Sequence, residues 1–172
     1  MRVFKLTVIA LAATMAFSAS AWAITVKKQR QMPGDPEDVW EIFGDFCAIK
    51  NWHPAVTDCQ EVKEGGATYR NLTLKDGGKI KEKLTDTDDT GYSYEIVESP
   101  LPVKNYKATL EIEEDEDSPH RSEVEWEATF DANGVSDEEA TKAVADILEA
   151  GVKSIKKQAI ADWDAKHPED AP

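Results

Sequence analysis

The chain has 172 residues, with 34 Asp and Glu against 20 Lys and Arg, for a formal net charge of −14 when its three histidines are neutral. A field of that sign repels phosphate backbones and anionic lipid surfaces, which argues against nucleic acid and leaves a basic protein or a cation as the electrostatically favoured partner. Neither a repeat nor a low-complexity linker divides the chain, and its length suits a single domain with a sizeable core.

Residues 1–23 open with Arg2 and Lys5, continue as an apolar run over 6–17 and close on small residues and Ala21-Trp22-Ala23. This is the pattern of a secretory signal peptide cleaved after Ala23. The run is about a dozen residues, short of the roughly 20 that span a bilayer, and no comparable stretch follows. The expected mature protein is therefore soluble and exported, to a bacterial periplasm or the outside, as one domain over 24–172. Its balance is 18 basic residues against 34 acidic, a net charge of −16.

A first strand is expected over 24–31, stopped by Gly34. Asp35 then suits a helix N-cap and Pro36 the first helical position, with Val39, Trp40, Ile42 and Phe43 on the buried stripe. Gly44 and Asp45 break this helix, and a second short one is expected within 46–52 before Pro54. From there the hydrophobic period changes from near 3.6 to 2. Strands are expected over 56–63, 68–74, 79–85, 92–98, 106–113 and 122–130, separated by Gly- and Asp-rich turns. Ser136 and Glu139 form a capping box that opens a helix of some 30 residues, with an apolar line from Ala140 to Trp163.

Cys47 and Cys59 are the only cysteines, twelve positions apart. In an oxidising compartment they can close a small loop worth on the order of 3 kcal/mol by the chain-entropy argument. A reactive or metal-binding pair is the competing reading, but no CxxC spacing or second cluster supports it.

The hairpin over 68–85 can be put in register from its own pattern. A three-residue loop at 76–78 would pair Leu74 with Ile80 and Leu72 with Glu82, so that Arg70, Leu72, Leu74, Ile80, Glu82 and Leu84 share one face. A two-residue loop would instead set leucines against the Lys79, Lys81, Lys83 face. The first register sends Arg70 and Glu82 inward as diagonal neighbours, either a structural bridge or a ligand-orienting pair. The same alternation turns Tyr92, Tyr94, Tyr106, Leu110, Trp126 and Phe130 inward. With His53 near the mouth they outline an aromatic-walled pocket with few polar groups, and the loop at Leu101-Pro102-Val103 is placed to close over it.

No motif of nucleophilic, zinc-protease or phosphate-loop chemistry occurs, so no catalytic residue, cofactor or metal site is assigned. His120 and His167 lie in a hairpin and in the C-terminal tail, and three scattered histidines do not make a metal site of ordinary density. The segment 86–91 begins like a calcium loop, but Val97 stands where the bidentate glutamate belongs. Asn71-Leu72-Thr73 matches a glycosylation acceptor but falls inside a strand.

The segment 35–60, DPEDVWEIFGDFCAIKNWHPAVTDCQ, with its capped amphipathic helix, Trp52-His53-Pro54 step and paired cysteines, resembles the early helical part of the SRPBCC superfamily. These are the START and birch-pollen-allergen helix-grip proteins, and the likeness is to the polyketide cyclase/dehydrase-like branch. The resemblance implies an α+β helix-grip fold: a curved seven-stranded antiparallel sheet wrapped around a long C-terminal helix, with two short helices after the first strand and an elongated cavity between sheet and helix. The leader, the Trp-His-Pro step and the single domain are also similar to exported MxaD-type proteins, which would imply an accessory role between a periplasmic dehydrogenase and its cytochrome.

The leading expectation is a non-enzymatic exported protein that binds a small hydrophobic or amphipathic ligand in that cavity. Arg70 and Glu82 would orient its polar end, Tyr94, Tyr106 and Trp126 would pack on its body, and Trp52 with His53 would guard the mouth. One alternative is the MxaD-like accessory whose acidic surface meets a basic periplasmic redox protein. Another is a cyclase or dehydratase using His53 or the Arg70/Glu82 pair as acid or base.

Overall fold

The computed structural model describes residues 23–115, 118 and 120–168. The expected leader, apart from Ala23, lies outside the described residues. Ten elements follow in order: β1 (Ile24–Pro33), α1 (Pro36–Phe43), α2 (Ile49–Trp52), β2 (Val56–Glu64), β3 (Ala67–Leu74), β4 (Lys79–Thr87), β5 (Gly91–Glu98), β6 (Val103–Glu114), β7 (Arg121–Ala132) and α3 (Asp137–Lys166).

The strands form one antiparallel sheet in the order β1-β7-β6-β5-β4-β3-β2. Strands β2 to β7 meander, each beside its chain neighbour, and β1 pairs along its whole length with residues 121–130 of β7. Irregularities in register interrupt β2/β3, β4/β5 and β6/β7. Each adds a residue on one strand and bends it, which is how a sheet of this width curls around a helix. The concave face carries the inward set read from the alternation, with Tyr92, Tyr94, Tyr106, Leu110, Val124, Trp126 and Phe130 all buried.

Helix α3 packs on β1 and β7, with Ala140, Val144, Leu148, Val152, Ile155 and Ala159 buried along one side. Its start is fixed as the capping box requires: Ser136 Oγ accepts from the Glu139 backbone N–H at 3.2 Å, and Glu139 Oε2 accepts from the Ser136 N–H at 3.3 Å. Asp35 has the extended backbone of an N-cap, yet its carboxylate caps no helix N–H. It instead accepts from His120 Nδ1 at 3.1 Å, tying the start of α1 to the turn before β7.

The β3/β4 register differs from the expected one by two residues. Leu72 pairs with Ile80 and Arg70 with Glu82. Gly77, rather than Gly78, takes the left-handed conformation (φ +88°), so the tight loop is Lys75-Asp76-Gly77, closed by the Leu74 N–H donating to the Gly78 carbonyl at 2.9 Å. A shift of two conserves the side-chain alternation, so the inward face is the predicted one. Arg70 and Glu82 become direct opposites instead of diagonal neighbours.

Cys47 and Cys59 are joined by a disulfide, with Cα atoms 5.5 Å apart. It fastens the α1–α2 connection to β2. Among the described residues no helix is long and apolar enough to cross a membrane.

Candidate ligand cavity

A cavity of about 230 Å³ lies between the concave sheet and α3. Leu72, Ile80 and Ile96 form its sheet wall, Val144 and Ile147 its helix wall, and Tyr94, Tyr106 and Trp126 an aromatic flank. Glu82 reaches it from β4, and His53, Asp76 and Leu101 reach it from three separate connections. The volume compares with the roughly 150 Å³ that suffices for benzene, so there is room for one or two rings or a short branched chain.

Of the residues expected at the site, His53, Glu82, Tyr94, Tyr106 and Trp126 line the cavity, and Arg70 and Trp52 do not. Arg70 lies behind Glu82 and is wholly buried, at 0% exposure. Its Nε donates to Glu82 Oε2 at 2.5 Å, and its Nη1 donates to the Phe46 carbonyl and, at 3.3 Å, to the Tyr92 hydroxyl. The guanidinium also sits over the rings of Phe46 (4.1 Å) and Tyr94 (4.9 Å). Burial works against its charged form, but the Glu82 carboxylate and the Tyr92 and Tyr94 hydroxyls outweigh that, and its pKa lies above the ordinary arginine value. This arginine is committed to holding the sheet to the α1–α2 segment, beside the disulfide that does the same.

Trp52 was expected at the mouth. It is 2% exposed and packs edge-on against Trp126, with ring centroids 5.6 Å apart. The last turn of α2 points inward because residues 44–48 are clamped to the sheet on both sides, by Arg70 at Phe46 and by the disulfide at Cys47. Its indole therefore forms part of the packing behind the cavity wall.

His53 is 4% exposed, and both its ring nitrogens are engaged. Nδ1 accepts from the Ala55 N–H at 3.2 Å, which leaves Nε2 to donate to the Ile147 carbonyl of α3 at 3.1 Å. Burial lowers its pKa; the Ile147 hydrogen bond opposes this, and the nearby Arg70 and Lys75 charges add to it. A neutral imidazole with two satisfied nitrogens bridges the α2 end to α3.

Trp126 anchors the floor. Its Nε1 donates to the Tyr94 hydroxyl at 3.1 Å, and its ring lies against the backbone of α3 at Gly151, where a Cβ would come within 2.4 Å of Trp126 Cζ3 and 3.1 Å of His53 Cδ2. Burial raises the pKa of Tyr94 and of Tyr106, so both remain neutral phenols. Sequence reasoning placed Gly151 on the apolar line of α3 but missed its close approach to Trp126 and His53, which line the cavity. A glycine in the middle of a long helix, where it is unfavourable by about 1 kcal/mol, was the available signal. Asp76 at the mouth carried no signal beyond that of a turn residue. Among the described residues no group of three or more His, Cys, Asp or Glu side chains converges as a metal site would.

Residues 23–159 match the family described as polyketide cyclase/dehydrase and lipid transport. Among solved structures, the chain is similar to XoxI from Bacillus cereus, with 32% identity and a TM-score of 0.75 over 83% of this chain and 98% of that one. It also shares its fold with the Zhui aromatase/cyclase of Streptomyces sp. R1128 (14% identity, TM-score 0.65, 80% and 94% covered). A START superfamily protein from Mycobacterium smegmatis is similar to the same degree (15% identity, TM-score 0.65, 78% and 96% covered). No curated protein matches.

Proposed function

Because the chain belongs to the polyketide cyclase/dehydrase and lipid transport family of helix-grip proteins, we propose that it is an exported carrier or sensor of a small, largely apolar molecule held between the sheet and α3. The observation that carries this reading is the cavity of about 230 Å³, walled by aliphatic and aromatic side chains. The two cationic or imidazole candidates for acid–base work are already engaged. His53 has both nitrogens occupied and Arg70 is paired with Glu82, so the reading assigns binding and no reaction. Export with removal of residues 1–23 is part of the proposal, and the Cys47–Cys59 disulfide supports an oxidising compartment.

Native mass spectrometry of the mature protein purified from its source cells, followed by denaturing extraction, tests this. A stoichiometric small molecule is expected, lost when Val144→Phe fills the cavity while circular dichroism remains that of the wild type. An empty protein that co-purifies with a basic partner released by salt would overturn the carrier reading. Function would then move to the acidic surface, as in the accessory alternative.

A further inference from the structure

We infer that the cavity takes an uncharged molecule of one or two rings bearing a hydroxyl or N–H donor, received by Glu82, and that it turns carboxylates away. The inference rests on the ligand-binding reading above and names the chemistry of what is bound.

Among the lining side chains the ionisable acids are Glu82 and Asp76, and no lysine or arginine joins them. The nearest cation, Arg70, lies behind the wall, with Nε on Glu82 and Nη1 on the Phe46 carbonyl and Tyr92; its Nη2 has no hydrogen-bond partner among the described residues but is buried, and the arginine does not line the cavity. His53 offers no free N–H, because its one donor is spent on Ile147. A carboxylate drawn into this space would give up water for a low-dielectric cavity whose nearest cation, Arg70, is already paired with Glu82 and whose lining offers no other, and that is costly.

An ammonium gains little more, since the Glu82 charge is already balanced by Arg70 and the Asp76 carboxylate is exposed at the mouth, where water screens it. A neutral donor suits the site better. Glu82 uses Oε2 for Arg70, and a carboxylate has room for further donors. The Tyr106 phenol also lines the cavity, and with its oxygen accepting from Tyr94 its own O–H can donate to the ligand's oxygen, while Tyr94, Tyr106 and Trp126 supply ring surfaces for stacking.

Three probes of one shape decide it: 4-butylphenol, 4-butylbenzoate and 4-butylbenzylamine, titrated at pH 7 into the isotope-labelled mature protein, with calorimetry in parallel. The indole N–H resonance of Trp126, which donates to Tyr94 in the wall, reports occupancy. The phenol is expected to bind at least tenfold more tightly than either charged probe. Glu82→Gln is expected to narrow the phenol-to-benzoate ratio, and Tyr106→Phe, which keeps the ring, to weaken the phenol alone. If Glu82→Gln does not fold, the wild-type ratio and Tyr106→Phe still decide. Benzoate or ammonium binding as tightly as the phenol would overturn this inference and leave the carrier reading standing. Failure of all three to bind would overturn the carrier reading and this inference with it.

Discussion

Arg70 and Glu82 stand directly opposite one another on β3 and β4, joined by a 2.5 Å hydrogen bond from Nε to Oε2, with the arginine fully buried. A buried pair of this kind is costly to break from one side and much less costly to replace as a unit. Arg70→Met is expected to lose about 3–5 kcal/mol of stability and Glu82→Leu a comparable amount, because each leaves the partner charge buried and alone. The double variant should recover most of that loss. Urea denaturation of the four proteins reads the coupling directly, and a double variant as unstable as the sum of the singles would mean that the two charges do not depend on one another.

Gly151→Ala should destabilise the protein although alanine is the better helix former. The added methyl would overlap Trp126 Cζ3 at 2.4 Å and crowd His53 Cδ2 at 3.1 Å. Overpacking of this kind costs about 1–3 kcal/mol, more than the roughly 1 kcal/mol that helix propensity returns. The expected readout is a lower urea midpoint with an altered Trp126 environment in near-ultraviolet circular dichroism. A raised midpoint would show that the helix can draw back from the tryptophan at little cost.

Stability should fall as the pH drops below about 6.5, the ordinary histidine value, through the titration of His53. Burial lowers its pKa in the fold, so in this range the unfolded chain binds a proton that the native protein does not. The contribution is complete above 6.5, is lost progressively as the pH falls towards the lowered folded value, and levels off below it. Denaturation midpoints between pH 7.5 and 5, compared with those of His53→Gln, isolate the effect, since carboxylates titrate in both proteins. An imidazole titrating at or above 6.5 by NMR would contradict the assignment.

Opening the Cys47–Cys59 bridge is expected to cost about 3 kcal/mol by the chain-entropy argument for a loop of this size. The double Cys47→Ser, Cys59→Ser variant and the dithiothreitol-treated wild type should show the same shift in guanidinium midpoint. Hydrogen exchange should then rise over residues 44–52, where the disulfide and the Arg70 hydrogen bond to Phe46 share the clamp. Unchanged exchange there would assign the clamp to Arg70 alone.

The elements were legible because each is written in a local code. Ser136 and Glu139 announce the start of α3 within four residues, and the change of hydrophobic period after Pro54 marks where strands replace helices. Alternation also placed Arg70, Glu82, Tyr94, Tyr106 and Trp126 on one inner face. The same code could not set the β3/β4 loop, because two neighbouring glycines, Gly77 and Gly78, can each serve as its left-handed residue. Only the paired strands show that Gly77 does.

What the sequence determined by itself is therefore the order and kind of elements, the family they belong to and the face each strand turns inward, all of which follow from contacts between near neighbours in the chain. The tertiary structure alone decided which inward residues border open space. Arg70 reaches Phe46, 24 residues away, and so lies behind the wall. Trp52 folds under Trp126, 74 positions along the chain, while His53 beside it bridges to Ile147 on α3. Spacing within one strand or helix carries no information about such distances, and they distinguish a residue that touches a ligand from one that holds the wall in place.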